Sequence, residues 1–148
     1  MVDKTLTLEL VTPEKVAAQG QADFVVLPAL DGEMGVLPGH QAFLVQLKPG
    51  EVRITEKGEV RRFAVSGGFA EIKDDTVSLF AETAEMAEQI DKDRAEQALE
   101  RAKAELAHKD LDPITLMAAE AAIRRAQIRL MVAARKHGRG APPRDEHS

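Results

Sequence analysis

An abrupt change of composition near residue 84 divides the chain into two parts that suit different secondary structures. All five Phe and eight of the ten Gly lie before this point, whereas the remainder has no Phe and is rich in Ala, Glu, Lys and Arg. Aromatic residues favour strands and glycines favour tight turns, while Ala, Glu, Lys and Arg are strong helix formers. The composition therefore predicts a β domain followed by helices.

Short apolar runs separated by polar turns fill the first part of the chain. Thr5–Leu10 alternates polar residues with leucine, as a strand with one buried face does. Phe24–Leu27 is fully apolar, and two further pairs of alternating runs enclose the polar segments Glu56–Glu59 and Lys73–Asp75, which predicts two hairpins. Because no helical segment separates these strands, we expect an antiparallel β-sandwich or flattened barrel.

The second part of the chain contains two helix start signals. Asp91 is placed to N-cap a first helix that runs to about His108. Asp112 followed by Pro113 predicts the start of a second helix, which we expect Gly138 to end. The short turn between the helices favours an antiparallel hairpin. We therefore divide the chain into a β-sandwich domain at 1–84, a helical hairpin at 85–137 and a flexible tail at 138–148.

The apolar stripes of the two predicted helices consist largely of alanine. An alanine removes little apolar surface from water, so larger residues on the same faces must supply most of the adhesion. We expect the hairpin to separate from the surface it packs on for on the order of a few kcal/mol, which suits a switch. The larger residues of these stripes are Leu99, Leu106, Leu116, Ile123 and Leu130.

The sign of the charge changes along the chain. Formal net charge is −5 overall, but residues 85–112 carry −4 and residues 113–148 carry +4. An acidic chain without Trp or Tyr is not expected to bind nucleic acid, which requires a basic surface and stacking aromatics. The basic second helix either lies against the acidic first helix or meets an acidic partner. The cations available to such a partner are Arg124, Arg125, Arg129, Arg135 and Lys136.

Residue sets typical of catalysis are missing from the sequence. The chain has no Cys, no phosphate-binding Gly-rich loop and no HExxH motif, and its four His lie far apart. We therefore expect neither a metal site nor an activity carried by this chain alone. No apolar stretch approaches the ~20 residues of a membrane span, and the first residues do not resemble a secretory signal.

Asp31–His40 holds three glycines and a proline within ten residues, which predicts a tightly turned loop. Three apolar residues, Met34, Val36 and Leu37, lie inside this segment. They either form a contact surface on the loop or tuck into the edge of the sandwich.

Four segments in a fixed order resemble one known family. They are Val11–Glu14 (VTPE), Gly32–His40 (GEMGVLPGH), Leu47–Gly50 (LKPG) and Val65–Phe69 (VSGGF). These segments, followed by a helical hairpin, make residues 3–137 similar to the epsilon subunit of bacterial F-type ATP synthases.

The resemblance implies a non-catalytic subunit of the central stalk, held at the cytoplasmic face of the cell membrane only through the complex. Its β-sandwich would bind the gamma subunit and rest on the c-ring. It would couple ion-driven rotation of that ring to ATP synthesis in the catalytic head. By the same resemblance, Met34 and His40 are candidate c-ring contacts.

For the helical hairpin the resemblance implies two positions. The hairpin either folds against the sandwich or extends along gamma into the catalytic head, where it inhibits ATP hydrolysis. In the extended position the basic second helix would face an acidic segment of a beta subunit. The candidate contacts there are Arg124, Arg135 and Lys136.

Some members of this family bind a regulatory ATP on the folded hairpin, and no other cofactor is implied. Their signature is present here as Ile90–Ala95 (IDKDRA). Guanidinium groups from two helices suit a triphosphate, although Asp91 is equally explained as a helix cap and Arg94 as a solvated side chain. The resemblance carries the ATP-binding role to Glu85, Asp91, Arg94, Arg101, Arg125 and Arg129.

A rival interpretation is a free-standing nucleotide-sensing or adaptor module that uses the same hairpin. Co-purification with other synthase subunits distinguishes the two. A third interpretation, an enzyme, has no residues in this sequence to nominate.

Overall fold

The computed structural model describes residues 4–108 and 110–135. Within them, ten strands precede a short 3₁₀ helix and two α-helices. The strands are β1 Leu6–Val11, β2 Val16–Ala22, β3 Phe24–Ala29, β4 Gly32–Val36, β5 Phe43–Leu47, β6 Gly50–Glu56, β7 Glu59–Val65, β8 Gly68–Lys73, β9 Thr76–Ala81 and β10 Ala84–Met86. The 3₁₀ helix is Ala87–Gln89, and the α-helices are α1 Lys92–Leu106 and α2 Pro113–Ala134.

The strands form one sheet that bends back on itself. Nine strands follow the order β10-β7-β6-β3-β5-β8-β9-β1-β2, and β4 pairs with β3 beside this path. The two end strands, β10 and β2, come into contact, so the sandwich is nearly closed. The predicted β-sandwich with a helical hairpin behind it is therefore confirmed. One pair departs from the antiparallel pattern, because β1 runs parallel to β9.

Alternation along β1 shows how the core is filled. Leu6, Leu8 and Leu10 are buried, while the residues between them face solvent, as the sequence pattern predicts. Leucine, valine and isoleucine from the other strands pack on them, and Phe63 is the largest side chain that is fully buried. Both predicted hairpins are also confirmed, with turns at Lys57–Gly58 and Asp74–Asp75 that adopt positive φ.

The predicted loop at Asp31–His40 is wrong over half its length, because Gly32–Val36 forms β4. Gly35 permits this pairing by leaving room for an aromatic ring: an added Cβ would lie 3.0 Å from the ring of Phe24. The alternative in which the apolar residues tuck into the sandwich holds for two of the three. Val36 is buried in the core and Met34 packs against it, whereas Leu37 is largely exposed.

Both helix starts are confirmed. The carboxylate of Asp91 accepts a hydrogen bond from the backbone N–H of Arg94, and that of Asp112 accepts one from the N–H of Thr115. The end of α2 differs from the prediction, because the helix stops at Ala134. Gly138 and the predicted tail at 138–148 lie outside the described residues.

The hairpin touches the sandwich mainly through the last turns of α2. Val132 and Ala133 pack with Ala64 of β7, Ala87 and Ile90 in a small second core, and Ile128 borders it. Between the helices the buried residues are alanines: Ala95, Ala102, Ala119 and Ala126. Leu106 and Leu116 are partly exposed instead, so these two leucines contribute less adhesion than their positions in the stripe predict.

Candidate functional site

A small pocket lies where α2 meets the sandwich. Its volume is about 40 Å³. That space suits a few water molecules, so a nucleotide would lie across the mouth of the pocket rather than inside it. The lining residues come from the end of β7, the start of β10 and one face of α2: Ala64, Val65, Ser66, Thr83, Glu85, Arg125, Ile128 and Arg129.

A two-pronged ion pair joins the hairpin to the sandwich at this pocket. Arg129 Nε lies 2.8 Å from Glu85 Oε2, and a second guanidinium nitrogen lies 3.1 Å from Oε1. Both side chains are about one-third exposed. Charge-assisted bonds of this fork geometry are strong and directional. The carboxylate of Glu85 therefore occupies the guanidinium fork of Arg129.

The structure brings together three of the six residues assigned to ATP. Glu85, Arg125 and Arg129 line the pocket. Asp91 and Arg94 meet each other at the start of α1, where the carboxylate caps the helix. Arg101 lies elsewhere, in a shallow groove on α1 beside acidic side chains. None of the pocket residues lines that groove, whose members are Asp93, Glu96, Gln97, Glu100 and Arg101.

The capping role of Asp91 predicts a difference between two substitutions. Asp91→Ala removes the acceptor for the Arg94 N–H, and the free energy of unfolding should fall by about 1 kcal/mol. Asp91→Asn retains an N-cap acceptor, so it should cost at most a few tenths of a kcal/mol. Urea denaturation followed by circular dichroism measures both values. Equal losses in the two variants would contradict the capping role.

A second charged cluster surrounds Glu51 of β6, the one buried charged residue among those described. Its Oε1 accepts from Arg53 at 3.2 Å, Arg62 at 3.1 Å and Arg135 at 3.0 Å. Arg53 also forms a two-pronged pair with Glu33 of β4. Arg135 caps the end of α2, so this cluster is a second ionic connection between the hairpin and the sandwich. The sequence contains no local pattern that could have indicated it.

The hydrogen bond from Arg53 holds the pKa of the Glu33 carboxyl below its usual value near 4.5. A carboxyl whose pKa is lower in the folded state than in the unfolded state stabilises the fold at pH values above its unfolded pKa. This stability is lost as the pH falls through the folded pKa. Glu33→Gln should therefore cost a few tenths of a kcal/mol at neutral pH, because the Glu33 side chain is largely exposed. Denaturation at several pH values should show the difference between wild type and variant vanishing in acid. A difference that grows in acid would be the wrong sign.

The other predicted partner contacts occupy distinct places. His40 is half-buried in a turn held by a hydrogen bond from the Gly39 N–H to Asp75, and its Nδ1 lies 2.7 Å from the carbonyl of Gln41. Arg124 is exposed on α2. Arg135 is already engaged with Glu51, while Lys136 lies outside the described residues.

An exposed aromatic pair marks the outer face of the sandwich. Phe69 of β8 and Phe80 of β9 are cross-strand neighbours whose ring centroids stack 4.9 Å apart. Leu44 of β5 is also exposed nearby, on a strand that pairs with β8. Contiguous exposed apolar surface of this kind is typical of an interaction site. Strand alternation could have indicated it, because Phe69 and Phe80 fall on the face opposite the core.

Over residues 4–108 and 110–135, no group of three or more His, Asp or Glu side chains is placed to hold a metal ion. In the same part of the chain, neither helix is long and apolar enough to cross a membrane.

Two family models together match almost all of the described chain. One, ATP synthase, Delta/Epsilon chain, beta-sandwich domain, matches residues 5–87. The other, ATP synthase, Delta/Epsilon chain, long alpha-helix domain, matches residues 88–134.

Curated relatives match over nearly their whole length. The ATP synthase epsilon chain of Desulforamulus reducens is 43% identical over 130 residues, covering 88% of this chain and 98% of the relative. The ATP synthase epsilon chain of Herpetosiphon aurantiacus is 42% identical, covering 90% of this chain and 98% of the relative.

Solved structures share the fold. A chain of the Euglena gracilis mitochondrial ATP synthase, in an assembly of OSCP, F1 and c-ring, matches with a TM-score of 0.75 and 28% identity, covering 88% of this chain and 81% of that one. A chain from the central stalk and c-ring of the Tetrahymena thermophila enzyme matches with a TM-score of 0.64 and 18% identity, covering 88% and 97%. The second similarity shows the fold alone.

Proposed function

This chain belongs to the epsilon-chain family of ATP synthase subunits, and on that premise we propose that it is a non-catalytic part of the central stalk. It couples ion-driven rotation of the c-ring to ATP synthesis in the catalytic head. It associates with the cytoplasmic face of the membrane only through the complex. The observation that supports this proposal is the match of both domains to relatives along nearly their full length.

The β-sandwich provides the partner contacts in this proposal. The exposed pair Phe69 and Phe80 supplies apolar area of the kind that a permanent subunit contact buries, and we assign it to the gamma subunit. Met34 and His40 are the contacts with the c-ring in this proposal. Met34 contributes only its exposed part there, since it also packs against the core.

Co-purification tests the stalk assignment and separates it from a free-standing module. A tagged chain expressed with the other synthase subunits should retain gamma and beta through purification. A Phe69→Ser, Phe80→Ser double variant should lose them, while Met117→Ser, an exposed apolar residue on α2, should not. A tagged wild-type chain that purifies without gamma would reject the assignment.

The hairpin provides regulation in this proposal. In the structure it is docked on the sandwich, and we take this as the position that permits ATP hydrolysis. In the extended position its basic helix, with Arg124 and Lys136, meets an acidic segment of a beta subunit and hydrolysis is inhibited. The inhibitory movement requires the contacts of α2 with β7 and with Glu85 to break.

A regulatory ATP would favour the docked position by binding Arg125 and Arg129 at the pocket. It must compete with Glu85 for Arg129, so its affinity should be modest. ATP at ten times its dissociation constant stabilises the docked form by about 1.4 kcal/mol. Reversing a 1:99 population needs about 5.5 kcal/mol, so ATP biases the equilibrium and partner contacts must complete the change.

Calorimetric titration of the isolated chain with ATP tests the nucleotide site. Arg129→Gln should weaken binding about tenfold or more, because a charge-assisted bond to phosphate is lost. Arg101→Gln should leave the affinity unchanged, since Arg101 lies in a separate groove. Absence of binding at millimolar ATP would remove the nucleotide from the proposal and leave the stalk assignment intact.

A further inference from the structure

The carboxylate of Glu51 is buried to an extent that no other charged residue in the described chain matches, with 4% of its surface exposed. Three arginines donate to one of its oxygens, Oε1, and no described protein group donates to Oε2. A buried charge is tolerated only where opposite charges and hydrogen bonds compensate for the lost water. The three arginines therefore stabilise the negative charge of this buried carboxylate.

The three arginines differ in where they come from. Arg53 and Arg62 face each other across β6 and β7, so they are fixed within the sandwich beside Glu51. Their like charges would repel at this spacing, and the carboxylate between them offsets that repulsion. Arg135 comes instead from the end of α2, 84 residues away in sequence, and its side chain is 46% exposed. It is the member of the cluster that can leave without disturbing the sheet.

The apolar part of the docking surface is small. Beside Ile90 and Val132 its buried members are alanines, each of which removes little surface from water. Contacts of this size allow local opening at a free energy well below that of global unfolding. The ion pair of Arg135 with this buried carboxylate is then one of two described ionic contacts, with Arg129–Glu85, that hold the end of α2 in place.

We propose that Glu51 is the acceptor of a releasable ionic latch, in which Arg135 fastens the end of α2 to the sandwich. When the hairpin leaves, Arg53 and Arg62 keep the carboxylate compensated, so the sandwich stays folded and ready to accept Arg135 again. The latch concerns docking within this one chain. It deepens the regulatory role proposed for the hairpin, but neither nucleotide nor partner subunit takes part in it.

The absence of cysteine from the sequence permits a direct test. Val132 is fully buried in the docked hairpin, so a Val132→Cys thiol reacts with a soluble reagent such as DTNB only when the hairpin opens. The rate of this reaction, measured on the full chain without ATP, reports the undocked population. Every variant below carries the same Val132→Cys change.

Arg135→Gln and Glu51→Gln should each raise the reaction rate about fivefold or more, and the double variant should add little to either single one. Lys103→Gln, which removes a positive charge from exposed α1, should change the rate less than twofold. Salt should accelerate the parent protein more than Arg135→Gln, in which only the Arg129–Glu85 pair, of the two described, is left for salt to screen.

If the Val132→Cys thiol reacts no faster in the Arg135→Gln variant than in the Lys103→Gln variant, the proposal is overturned. The Arg135→Gln variant leaves Glu51 with both of its sandwich arginines, so it carries the test even if Glu51→Gln fails to fold. Because no nucleotide or partner is present, failure of the latch is distinguishable from failure of the stalk assignment.

Discussion

Replacing Gly68 by alanine is expected to lower the free energy of unfolding by about 3 kcal/mol or more, the largest loss of stability that we predict for a single methyl group. Gly68 begins β8 with φ of +135°, where a side chain is strained. An added Cβ would fall on the carbonyl oxygen of Phe80 and lie 2.9 Å from the Cα of Ala81. Both obstacles are backbone of the paired strand β9, so relief requires the sheet itself to move.

Gly20→Ala is the matched control, because its φ of +140° imposes the same strain but an added Cβ would meet nothing within 4 Å. We expect it to cost about 1 to 2 kcal/mol, which isolates the contribution of the clash. Urea denaturation followed by far-ultraviolet circular dichroism measures both variants without Trp or Tyr. Equal losses of stability in the two variants would show that the positive φ alone, and not the close approach of β9, requires glycine at position 68.

Fixing the hairpin in its docked position is expected to raise ATP hydrolysis by the reconstituted complex. If the extended hairpin inhibits half of the complexes or more, preventing extension should increase the rate by about twofold or more. Ala64 of β7 and Ala133 of α2 share the second core, so cysteines at both positions can be joined by a short bifunctional thiol reagent. The chain has no native Cys, and the cross-link can be made before the complex is assembled.

A reagent with a cleavable disulfide spacer supplies the control for this experiment. Hydrolysis should return to its original rate when a reductant cuts the spacer, and the chain with both cysteines but no reagent should behave as wild type. An unchanged rate with the link intact would mean that hairpin extension does not limit hydrolysis. The inhibitory role would then be lost, while membership of the family and the stalk assignment would stand.

The candidate site was only partly accessible to sequence reasoning. The resemblance to a known family selected Glu85, Arg125 and Arg129, which the structure brings to one pocket. It also selected Arg101, which lies in another groove. A motif preserves the spacing of residues along the chain, but whether two side chains meet depends on how the helices pack. The same reasoning proposed Arg135 as a candidate partner contact and missed its ion pair with Glu51.

The features that could be predicted from sequence alone depend on neighbours a few residues away. The alternation of Leu6, Leu8 and Leu10, the two hairpin turns and the caps at Asp91 and Asp112 all follow from local side-chain chemistry. The separate roles of Gly32 and Gly35 could not be predicted, because a glycine that turns the chain and a glycine that lets an aromatic ring approach look alike in sequence.

The tertiary structure alone shows how distant segments meet. It placed β1 parallel to β9, docked the end of α2 on β7, and joined residues 44 and 84 positions apart in the Arg129–Glu85 and Arg135–Glu51 pairs. Such contacts carry no periodic pattern, since each depends on one side chain in either partner and on the packing of everything between them. The strength of the hairpin's attachment, and with it the proposed regulation, therefore lies in the fold.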